Sequence, residues 1–482
     1  MKTKLIKIAM LLGMITGLAS CKKYLDTEPV GQFLVSNFYS NPSQAYSGVI
    51  ACYSPLTSNY YLTLMSLNSG SDDAFAGGGN SGDYSSIQAF SNYSLLTAAS
   101  GTGELFWGYN YNGIYNCNSI LQALPTVPGL STELLNRYTG EAKFLRAFYY
   151  FDLVRLFRNI PFTTAPLTTA EVFEQLQATP ETVYAQIESD LKDAISKLPV
   201  TIPTNQNGRV TQGAARALLG KVLLTTKKYT EAAEQLALVN GILGGTNVYG
   251  YRLLADYGQV FSSKTKYSSE SIFELQQTNT VNNFSNGFTQ FTGPRGSSVP
   301  IYFSGGYGFN VVTLQLVNAI KNDPRYPHTV INIDSLAKAT NTSYQPSYQN
   351  TGYFTRKYAG LASEQTNFGW NGDILLIRLA DTYLMEAEAL VQSGTGLARA
   401  ESLLNAVRAR VKLAPVSATI NNIYTERQLE LAEEGHRWFD LVRTGRAPAV
   451  LAFKNFKAGI NEILPIPLSD LNNSKLKQNP GY

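Results

Sequence analysis

The chain contains 482 residues, of which 44% are hydrophobic and 15% charged, and its formal net charge at pH 7 is +4. These values are typical of an ordered globular protein and exclude an intrinsically disordered chain. Residues 24–136 contain neither lysine nor arginine. Because phosphate groups are recognised by cations, this stretch is a poor candidate for binding nucleic acid or nucleotides. Two interpretations of it stay open, an acidic solvated face and a surface for an uncharged ligand.

The first 20 residues have the features of a secretory signal peptide. Three lysines precede the apolar run 8–15, which is too short to span a bilayer stably, and Leu18-Ala19-Ser20 then precedes Cys21. This ending resembles a bacterial lipobox, in which the cysteine becomes the lipidated first residue of the mature chain. Acyl chains on Cys21 would anchor the protein without a transmembrane helix. The alternative is an ordinary signal peptide that happens to precede a cysteine.

A helical scaffold is predicted from residue 42 onward. Ala45, Val49 and Leu56 recur at helical spacing after Asn41-Pro42, which is a typical helix start. Cys52 and Cys117 lie on such apolar stripes, so we expect two buried thiols, with a disulfide as the alternative. Further helices with the same spacing are predicted around residues 107–121, 135–153 and 183–198.

Residues 66–103 interrupt this helical pattern with glycine, serine and asparagine, which indicates a long functional loop. The loop contains Asp72, Asp73 and Phe75. Residues 77–82 match the glycine spacing of a dinucleotide site. We reject that interpretation because no strand precedes the glycines, no helix pattern follows them, and the region lacks cations.

Two pairs of antiparallel helices of tetratricopeptide type are predicted. The first covers the apolar stripes 214–222 and 229–239, and the second covers 376–391 and 400–411. Such pairs cannot bury their apolar faces alone, so the repeats are expected to stack. In the second pair, the polar face of the first helix is predicted to carry Arg378, Asp381, Thr382 and Glu388.

A third helix is predicted to follow this pair. Thr425-Glu426-Arg427-Gln428 has the spacing of a capping box, and the helix is predicted to continue through residues 433–443. His436 lies among opposite charges in this run, which favours a structural ion-pair network over catalysis.

The region between the two pairs is irregular and rich in rings. Residues 271–276 indicate a short strand, and residues 276–310 carry many aromatic rings among glycine, serine and asparagine, with Arg295 as their single charge. Rings without helical or strand periodicity indicate either a ligand-facing surface or a satellite core beneath a long loop. Trp370 follows in a polar loop.

The sequence shows no catalytic or metal-binding motif. The two histidines, His328 and His436, are far apart, and neither a Gly-x-Ser-x-Gly elbow nor a Cys-x-x-Cys pair occurs. We therefore expect no enzyme, no metal and no cofactor. A pair of carboxylates that meet across the fold, as glycoside hydrolysis requires, stays open. Asp72 and Asp73 form the one adjacent acidic pair in a predicted site loop.

Several separated motifs together point to one family. Residues 141–150, 433–443, Ile466-Pro467 and the terminal run 478–482 closely resemble the SusD/RagB family of surface nutrient-binding lipoproteins. The resemblance implies a mostly α-helical protein of tetratricopeptide-like pairs in a superhelical scaffold, with an irregular region that holds short strands. It divides the chain into the signal peptide (1–20), an N-terminal region (21–240) and a C-terminal region (241–482), the last two forming one compact unit.

The implied function is capture of an oligosaccharide at the outer cell surface and delivery to a SusC-like TonB-dependent outer-membrane transporter. A peptide-binding relative and a structural scaffold without a small ligand are the alternatives. The site is predicted in loops 72–84 and 284–309 together with Trp370, because these stretches combine rings and amides with few charges. The predicted stacking rings are Trp370, Tyr302, Tyr307 and Phe75, with Asp72, Asp73 and Arg295 as hydrogen-bonding partners.

Overall fold

A computed structural model describes residues 38–482 except 246, 281–284, 298, 300–304, 361, 365, 367–368 and 473. The predicted signal peptide, Cys21 and Tyr302 lie outside the described residues. Within the described ranges, no helix has both the length and the apolar character needed to cross a membrane.

The first half of the described chain is built almost entirely from helices. Asn41 caps the first helix by accepting a hydrogen bond from the backbone amide of Gln44, and Pro42 occupies its first turn. The helices are α1 (Pro42–Gly70), α2 (Ser85–Ser91), α3 (Glu104–Ala123), α4 (Thr132–Phe157), α5 (Thr169–Phe173), α6 (Pro180–Lys197), α7 (Gln212–Thr225) and α8 (Tyr229–Asn240). The strands of this half are β1 (Ala74–Gly77), β2 (Ile160–Pro161) and β3 (Gln177–Ala178).

The second half combines short strands with shorter helices. Its strands are β4 (Ser271–Leu275), β5 (Phe309–Val312), β6 (Val330–Asn332), β7 (Tyr353–Thr355) and β8 (Ile374–Arg378). Its helices are α9 (Phe288–Thr292), α10 (Leu314–Ile320), α11 (Tyr326–Thr329), α12 (Ile333–Thr340), α13 (Leu379–Ser393), α14 (Leu397–Arg410), α15 (Ile420–Leu431), α16 (Arg437–Arg443), α17 (Ala447–Val450) and α18 (Leu468–Leu471). The mostly α-helical class predicted from the sequence is confirmed.

The long helices stack in a row of antiparallel pairs. Helix α1 packs on α3, α4 on α6, α7 on α8, and α13 on α14, and successive pairs contact one another through α3–α4, α6–α7 and α8–α13. Close approach within the third pair requires Gly220, because a Cβ there would lie 2.5 Å from Cγ of Leu236. One buried apolar cluster extends from Ala45 to Ile466 and therefore joins both halves of the chain. Both predicted helix pairs are confirmed.

The start of the predicted helix at 376–391 is wrong. Residues Ile374–Arg378 form β8, which pairs antiparallel with β4 and is buried along its whole length. Helix α13 begins only at Leu379. Its predicted polar face is also buried, because its acids meet cations from other elements: Arg427 donates to Asp381 at 2.8 Å and Arg443 donates to Glu388 at 2.7 Å. Arg378, Asp381, Thr382 and Glu388 are all buried.

The predicted capping box at Thr425 is wrong as well. Helix α15 begins at Ile420, where the side chain of Thr419 accepts from the backbone amide of Asn422 at 3.2 Å. The chain then leaves the helix after Leu431 and starts α16 at Arg437. The intervening turn has positive φ at Glu433 (65°) and Gly435 (77°). The predicted continuous helix is therefore two helices.

Tertiary contacts hold this turn. Gly435 donates its backbone amide to Oδ1 of Asn68 at 2.9 Å, and the amide of Asn68 donates to the backbone carbonyl of Glu433 at 3.1 Å. Such contacts from α1 keep Glu433 in a left-handed conformation that side chains seldom adopt. His436 lies in the turn before α16, and its Nδ1 is 3.1 Å from Nζ of Lys221, which also binds Asp381.

A four-stranded antiparallel sheet, in the order β1-β5-β7-β6, lies beside the helical row. In the β1–β5 pair, Phe75 is opposite Val311 and Gly77 is opposite Phe309. The loop predicted at residues 66–103 is therefore wrong in part, since α1 continues to Gly70 and the segment contains β1 and α2. The pairing of β1 with β5 joins this segment to the end of the ring-rich segment 276–310.

Buried ion pairs connect the sheet region to the C-terminal helices. The carboxylate of Glu430 receives hydrogen bonds from Arg325 (2.9 Å), Arg378 (2.5 Å) and Arg410. Burial alone would raise the pKa of Glu430, but the three guanidinium groups outweigh it and hold the pKa well below its usual range. Charged side chains on these elements are thus part of the core and are satisfied inside it.

Candidate functional site

The two predicted site loops meet at the end of the β1–β5 pair. The backbone amide of Gly78 donates to the carbonyl of Gly308 at 2.8 Å, which extends the pairing beyond the strands. Gly77 has φ +73°, and a Cβ there would lie 2.4 Å from the oxygen of Gly308. Glycine is therefore required at this position, and the close approach sets the spacing of the two loops.

Five rings gather at this junction, and we call them the aromatic platform. The Phe291 ring is at its centre, with centroid distances of 5.4 Å to Tyr61, 5.3 Å to Tyr307 and 6.0 Å to Phe309. Tyr84 meets Phe309 edge to face at 6.0 Å. The platform thus joins helix α1, the segment after β1, helix α9 and strand β5.

The rings differ in accessibility. Tyr307 is 45% exposed, Tyr61, Tyr84 and Phe291 are half-buried, and Phe309 is buried beneath them. The hydroxyl of Tyr307 accepts from the amide of exposed Gln290 at 3.2 Å. A buried ring that supports partly open ones gives a fixed apolar surface to which a flat ligand can bind.

Polar groups border the platform, and their charges balance. Oδ2 of Asp83 accepts from the backbone amide of Gly79 at 2.7 Å and lies 3.7 Å from Nη1 of Arg295. Arg295 also donates to the carbonyl of Tyr307 at 3.1 Å. Gly79 and Asn80 are exposed beside them. One carboxylate and one guanidinium, both partly exposed, suit a neutral ligand that carries hydroxyl groups.

Of the residues predicted for the site, Tyr307 and Arg295 lie at the platform. Tyr302 is outside the described residues. Phe75 is half-buried and lies apart from the platform rings: it contacts Phe453 edge to face at 6.0 Å, and Nζ of Lys454 is 5.2 Å from its ring.

The prediction that Trp370 is an exposed ring is wrong. The side chain is 2% exposed and fills a niche between Gly360 and Gly372, where an added Cβ would lie 2.4 Å and 2.0 Å from the indole. Its Nε1 is 3.4 Å from a carboxylate oxygen of Glu364, and its carbonyl accepts from the backbone amide of Asn286 at 2.8 Å. Trp370 is therefore a core residue that supports the chain leading to α9.

The prediction that Asp72 and Asp73 contact a ligand is also wrong, because both are buried, at 4% and 0% exposure. Asp72 forms a two-point ion pair with Arg437, with distances of 2.7 and 2.9 Å. Oδ2 of Asp73 accepts from the backbone amide of Glu433 at 3.1 Å. The two aspartates thus attach the start of β1 to the first residue of α16 and to the turn before it.

A buried titratable cluster surrounds Asp73. Burial, followed by the charge of the neighbouring Asp72, raises the pKa of Asp73 to about 7. Burial, followed by the charge of Asp73, raises the pKa of Glu433 well above its usual range. Burial lowers the pKa of Lys454 to about 7, and its ammonium donates to the carbonyl of Ser69 at 2.6 Å. Protonation of this cluster is therefore coupled to the attachment of β1.

Sequence reasoning missed Tyr61 as a platform residue. Tyr61 lies within the helical pattern of α1, so the sequence does not distinguish it from a packing residue. In the structure Gly287 approaches its ring, and a Cβ on Gly287 would lie 3.0 Å from Cζ of Tyr61. The prediction of two buried thiols is confirmed, since Cys52 and Cys117 are both buried and free. In the described part of the chain, no group of three or more histidine, cysteine or acidic residues is placed to hold a metal ion.

The fold and the aromatic platform together define a class of protein, in which stacked tetratricopeptide-like helix pairs support aromatic rings at the junction of two loops. Two family models match the chain, one described as the SusD family over residues 332–482 and one described as "Starch-binding associating with outer membrane" over residues 51–224. The chain belongs to the SusD/RagB family.

Individual relatives cover nearly the whole chain. A solved laminarin-binding SusD-like protein is 42% identical, with a TM-score of 0.88, over 92% of this chain and 100% of its own. Surface glycan-binding protein A from Bacteroides fluxus is 26% identical, with a TM-score of 0.81, over 92% and 100% of the two chains. SusD-like protein P2 from Formosa agariphila is 26% identical over 99% of this chain and 100% of its own.

Proposed function

We propose that this protein binds a neutral oligosaccharide on the aromatic platform at the cell surface and delivers it to a SusC-like TonB-dependent transporter. The observation that carries the proposal is the platform itself, where partly open rings lie beside one balanced acid–base pair. The 42% identical relative is a laminarin-binding protein, so laminarin is the first polysaccharide to test.

The chemistry of the platform fits a sugar. The C–H faces of a pyranose ring are apolar and stack on aromatic rings such as those of Tyr307 and Phe291, while its hydroxyl groups both donate and accept hydrogen bonds. Gln290, Asp83 and Arg295 supply both kinds of partner within reach of the rings. Because the charges balance, a neutral polysaccharide is favoured over an anionic one.

Two of the proposed ligand contacts, Tyr307 and Arg295, were predicted from the sequence. The contacts added by the structure are Phe291, Tyr84, Gln290 and Asp83. Tyr302 belongs to the same ring-rich segment and remains a proposed contact. We also propose binding without turnover. Glycoside hydrolysis uses two carboxylates, whereas the described platform supplies the carboxylate of Asp83, already next to Arg295.

The cellular setting is part of the proposal. The family description places these proteins in association with the outer membrane, and a lipid on Cys21 would provide the anchor. Residues 21–240 and 241–482 would act as one structural unit, which the shared buried core supports. The helical row would then present broad faces to the transporter.

A binding screen tests the proposal. The soluble mature chain lacking Cys21 is immobilised and titrated with laminarin, with a carboxylated polysaccharide and with a mixed peptide library. Saturable binding of laminarin or another neutral glycan, without change in its chain length, supports the proposal. Binding of peptides alone, or of no glycan, contradicts it.

A further inference from the structure

A cavity of about 300 Å³ lies apart from the aromatic platform and shares no lining residue with it. It opens between the segments 200–211 and 249–251 and strand β4 with the residues before it. Three tyrosines, Tyr249, Tyr251 and Tyr267, line it, and we call it the tyrosine pocket. Its volume is at the lower end of the range for small-ligand sites.

Two of its rings are held as a pair. Tyr249 and Tyr251 stack with their centroids 5.5 Å apart and their planes inclined by 27°. Oδ1 of Asn247 accepts from both of their backbone amides at 3.0 Å, which fixes the loop. The hydroxyl of Tyr249 donates to Gln212 at 2.8 Å. The stacked pair is thus already ordered before a ligand binds, which lowers the entropic cost of binding.

The third ring carries a buried hydroxyl group. Tyr267 has φ +52°, and its backbone amide donates to Oε1 of Glu274 at 2.6 Å. Its hydroxyl oxygen has no hydrogen bond of ordinary geometry among the described residues. Burial, followed by the nearby carboxyl groups of Asp373 and Glu274, raises the pKa of this hydroxyl. The pairing register of β4 is irregular between Ser271 and Glu274. Buried hydroxyls without partners are costly.

The charged groups in and behind the wall are paired with one another. Glu274 is 4% exposed and lines the cavity. Burial, followed by the charge of Asp373, raises the pKa of Glu274 to about 8, which favours its neutral form. Behind the wall, Nζ of Lys266 lies 2.7 Å from Asp373. Arg209, the cation among the lining residues, is bound by Glu141. A charged ligand would find no free opposite charge among these lining residues.

Hydroxyl groups form much of the remaining wall. Thr201, Thr211, Ser268, Ser269 and Ser271 all line the cavity. Aromatic faces, hydroxyl groups and a neutral carboxyl group together match the two surfaces of a sugar, which is apolar on its ring face and polar at its edge. Neither an anion nor a purely apolar molecule would use all three features.

We propose that the tyrosine pocket is a second ligand-binding site, which takes a single neutral hexopyranose ring between the stacked tyrosines and the Tyr267 hydroxyl. The proposal goes beyond the platform function and does not depend on it. The tyrosine pocket would bind the terminal sugar of a glycan chain or a free monosaccharide. The platform, which is an open surface, would bind sugars within a longer chain.

Saturation-transfer NMR with D-glucose tests this inference on the soluble mature chain lacking Cys21. The dissociation constant is measured for the wild type, Tyr249→Ala, Tyr267→Phe and Tyr307→Ala, with Tyr115→Ala as an exposed-tyrosine control. We expect saturable binding that Tyr249→Ala weakens about 2- to 12-fold, as loss of one aromatic contact predicts. Tyr267→Phe removes one hydroxyl and should weaken it by a similar factor.

Tyr307→Ala and Tyr115→Ala should leave the glucose affinity unchanged. The inference is overturned if the wild type gives no saturable glucose signal, if Tyr267→Phe and Tyr249→Ala both bind as the wild type does, or if only Tyr307→Ala weakens binding. The affinity of the same variants for laminarin is measured separately. An unchanged laminarin affinity of Tyr307→Ala would contradict the platform proposal without affecting the proposal for the tyrosine pocket.

Discussion

Two aromatic residues of the predicted site lie in opposite environments. Tyr307 is partly open at the end of a strand pair, whereas Trp370 fills a niche between two glycines. Both follow polar, glycine-containing stretches in the sequence, so local composition does not separate them. The difference arises from close approach of distant backbone, which only the folded chain shows.

Replacing Tyr307 with alanine tests the platform at one ring. Loss of one aromatic contact, about 0.5–1.5 kcal/mol, predicts a 2- to 12-fold fall in affinity for laminarin. Because the ring is 45% exposed, the melting temperature should change little. Titration calorimetry gives the affinity and differential scanning fluorimetry the melting temperature. An unchanged affinity would remove Tyr307 from the site.

Trp370→Ala should have the reverse effect. Truncation of a buried tryptophan leaves a cavity and costs about 3–5 kcal/mol of unfolding free energy. Urea unfolding of this variant should show a lower midpoint than the wild type, while Trp370→Phe should lose less. A variant as stable as the wild type would show that the indole does not contribute to the core.

The buried Asp73 predicts a pH dependence. In the folded chain its pKa is about 7, against an ordinary 3.8, so the folded state keeps a proton that the unfolded state releases. The stability contributed by Asp73 is therefore complete below about pH 4 and is lost as the pH rises towards 7. The unfolding free energy of Asp73→Asn should fall less than that of the wild type across this window.

Melting temperatures at pH 4, 5, 6 and 7 check this prediction. Glu401→Gln, at an exposed acid of α14, is the control and should follow the wild type. Parallel curves for the wild type and Asp73→Asn would show that Asp73 does not carry the dependence.

At the scale of elements, helical spacing identified the stacked pairs because their apolar faces are buried by neighbours of the same kind. It failed at Ile374–Arg378, where a fully buried strand has no alternating pattern that would distinguish it from a helix. It failed again at Thr425, because Thr419 caps the helix instead and tertiary contacts break it at Glu433. The acids Asp72 and Asp73 were misplaced because their partners lie 365 and 360 residues further along the chain.

The β1–β5 junction can be tested through one glycine. Gly77→Ala places a methyl group 2.4 Å from the carbonyl of Gly308 at φ +73°, so the strands must move apart. We expect lower stability and lower laminarin affinity, because the pairing positions the platform. Gly108→Ala is the control, because beyond its chain neighbours and the adjacent backbone of α3 no atom lies within 4 Å of its Cβ position. A helical Gly→Ala change should stabilise slightly. Equal behaviour of the two variants would contradict the role of the junction.

At the scale of the whole molecule, one large buried cluster joins both halves of the chain, and two smaller clusters lie in the sheet region. The helical row therefore supports the loops that carry the platform, and binding residues are commonly found on loops positioned by such a scaffold. The sequence therefore predicts the scaffold and the approximate loops, while the exact set of ligand contacts depends on which rings the strand pairing brings together.

The proposed lipid anchor is tested on the full-length protein. Cys21→Ser should release the mature chain from the membrane fraction, because the acyl anchor needs the thiol. Fractionation followed by immunoblotting, with a lipid-label incorporation assay, measures this. A variant that stays acylated and membrane-bound would contradict the proposed anchor.

Binding of a neutral glycan to the aromatic platform can be observed in a crystal structure of the soluble chain with an oligosaccharide cut from laminarin. We expect sugar rings stacked on Tyr307 and Phe291, with hydroxyl groups bonded to Gln290, Asp83 or Arg295. Sugar density confined to another surface, with the platform empty at saturating ligand, would show that the glycan site lies elsewhere.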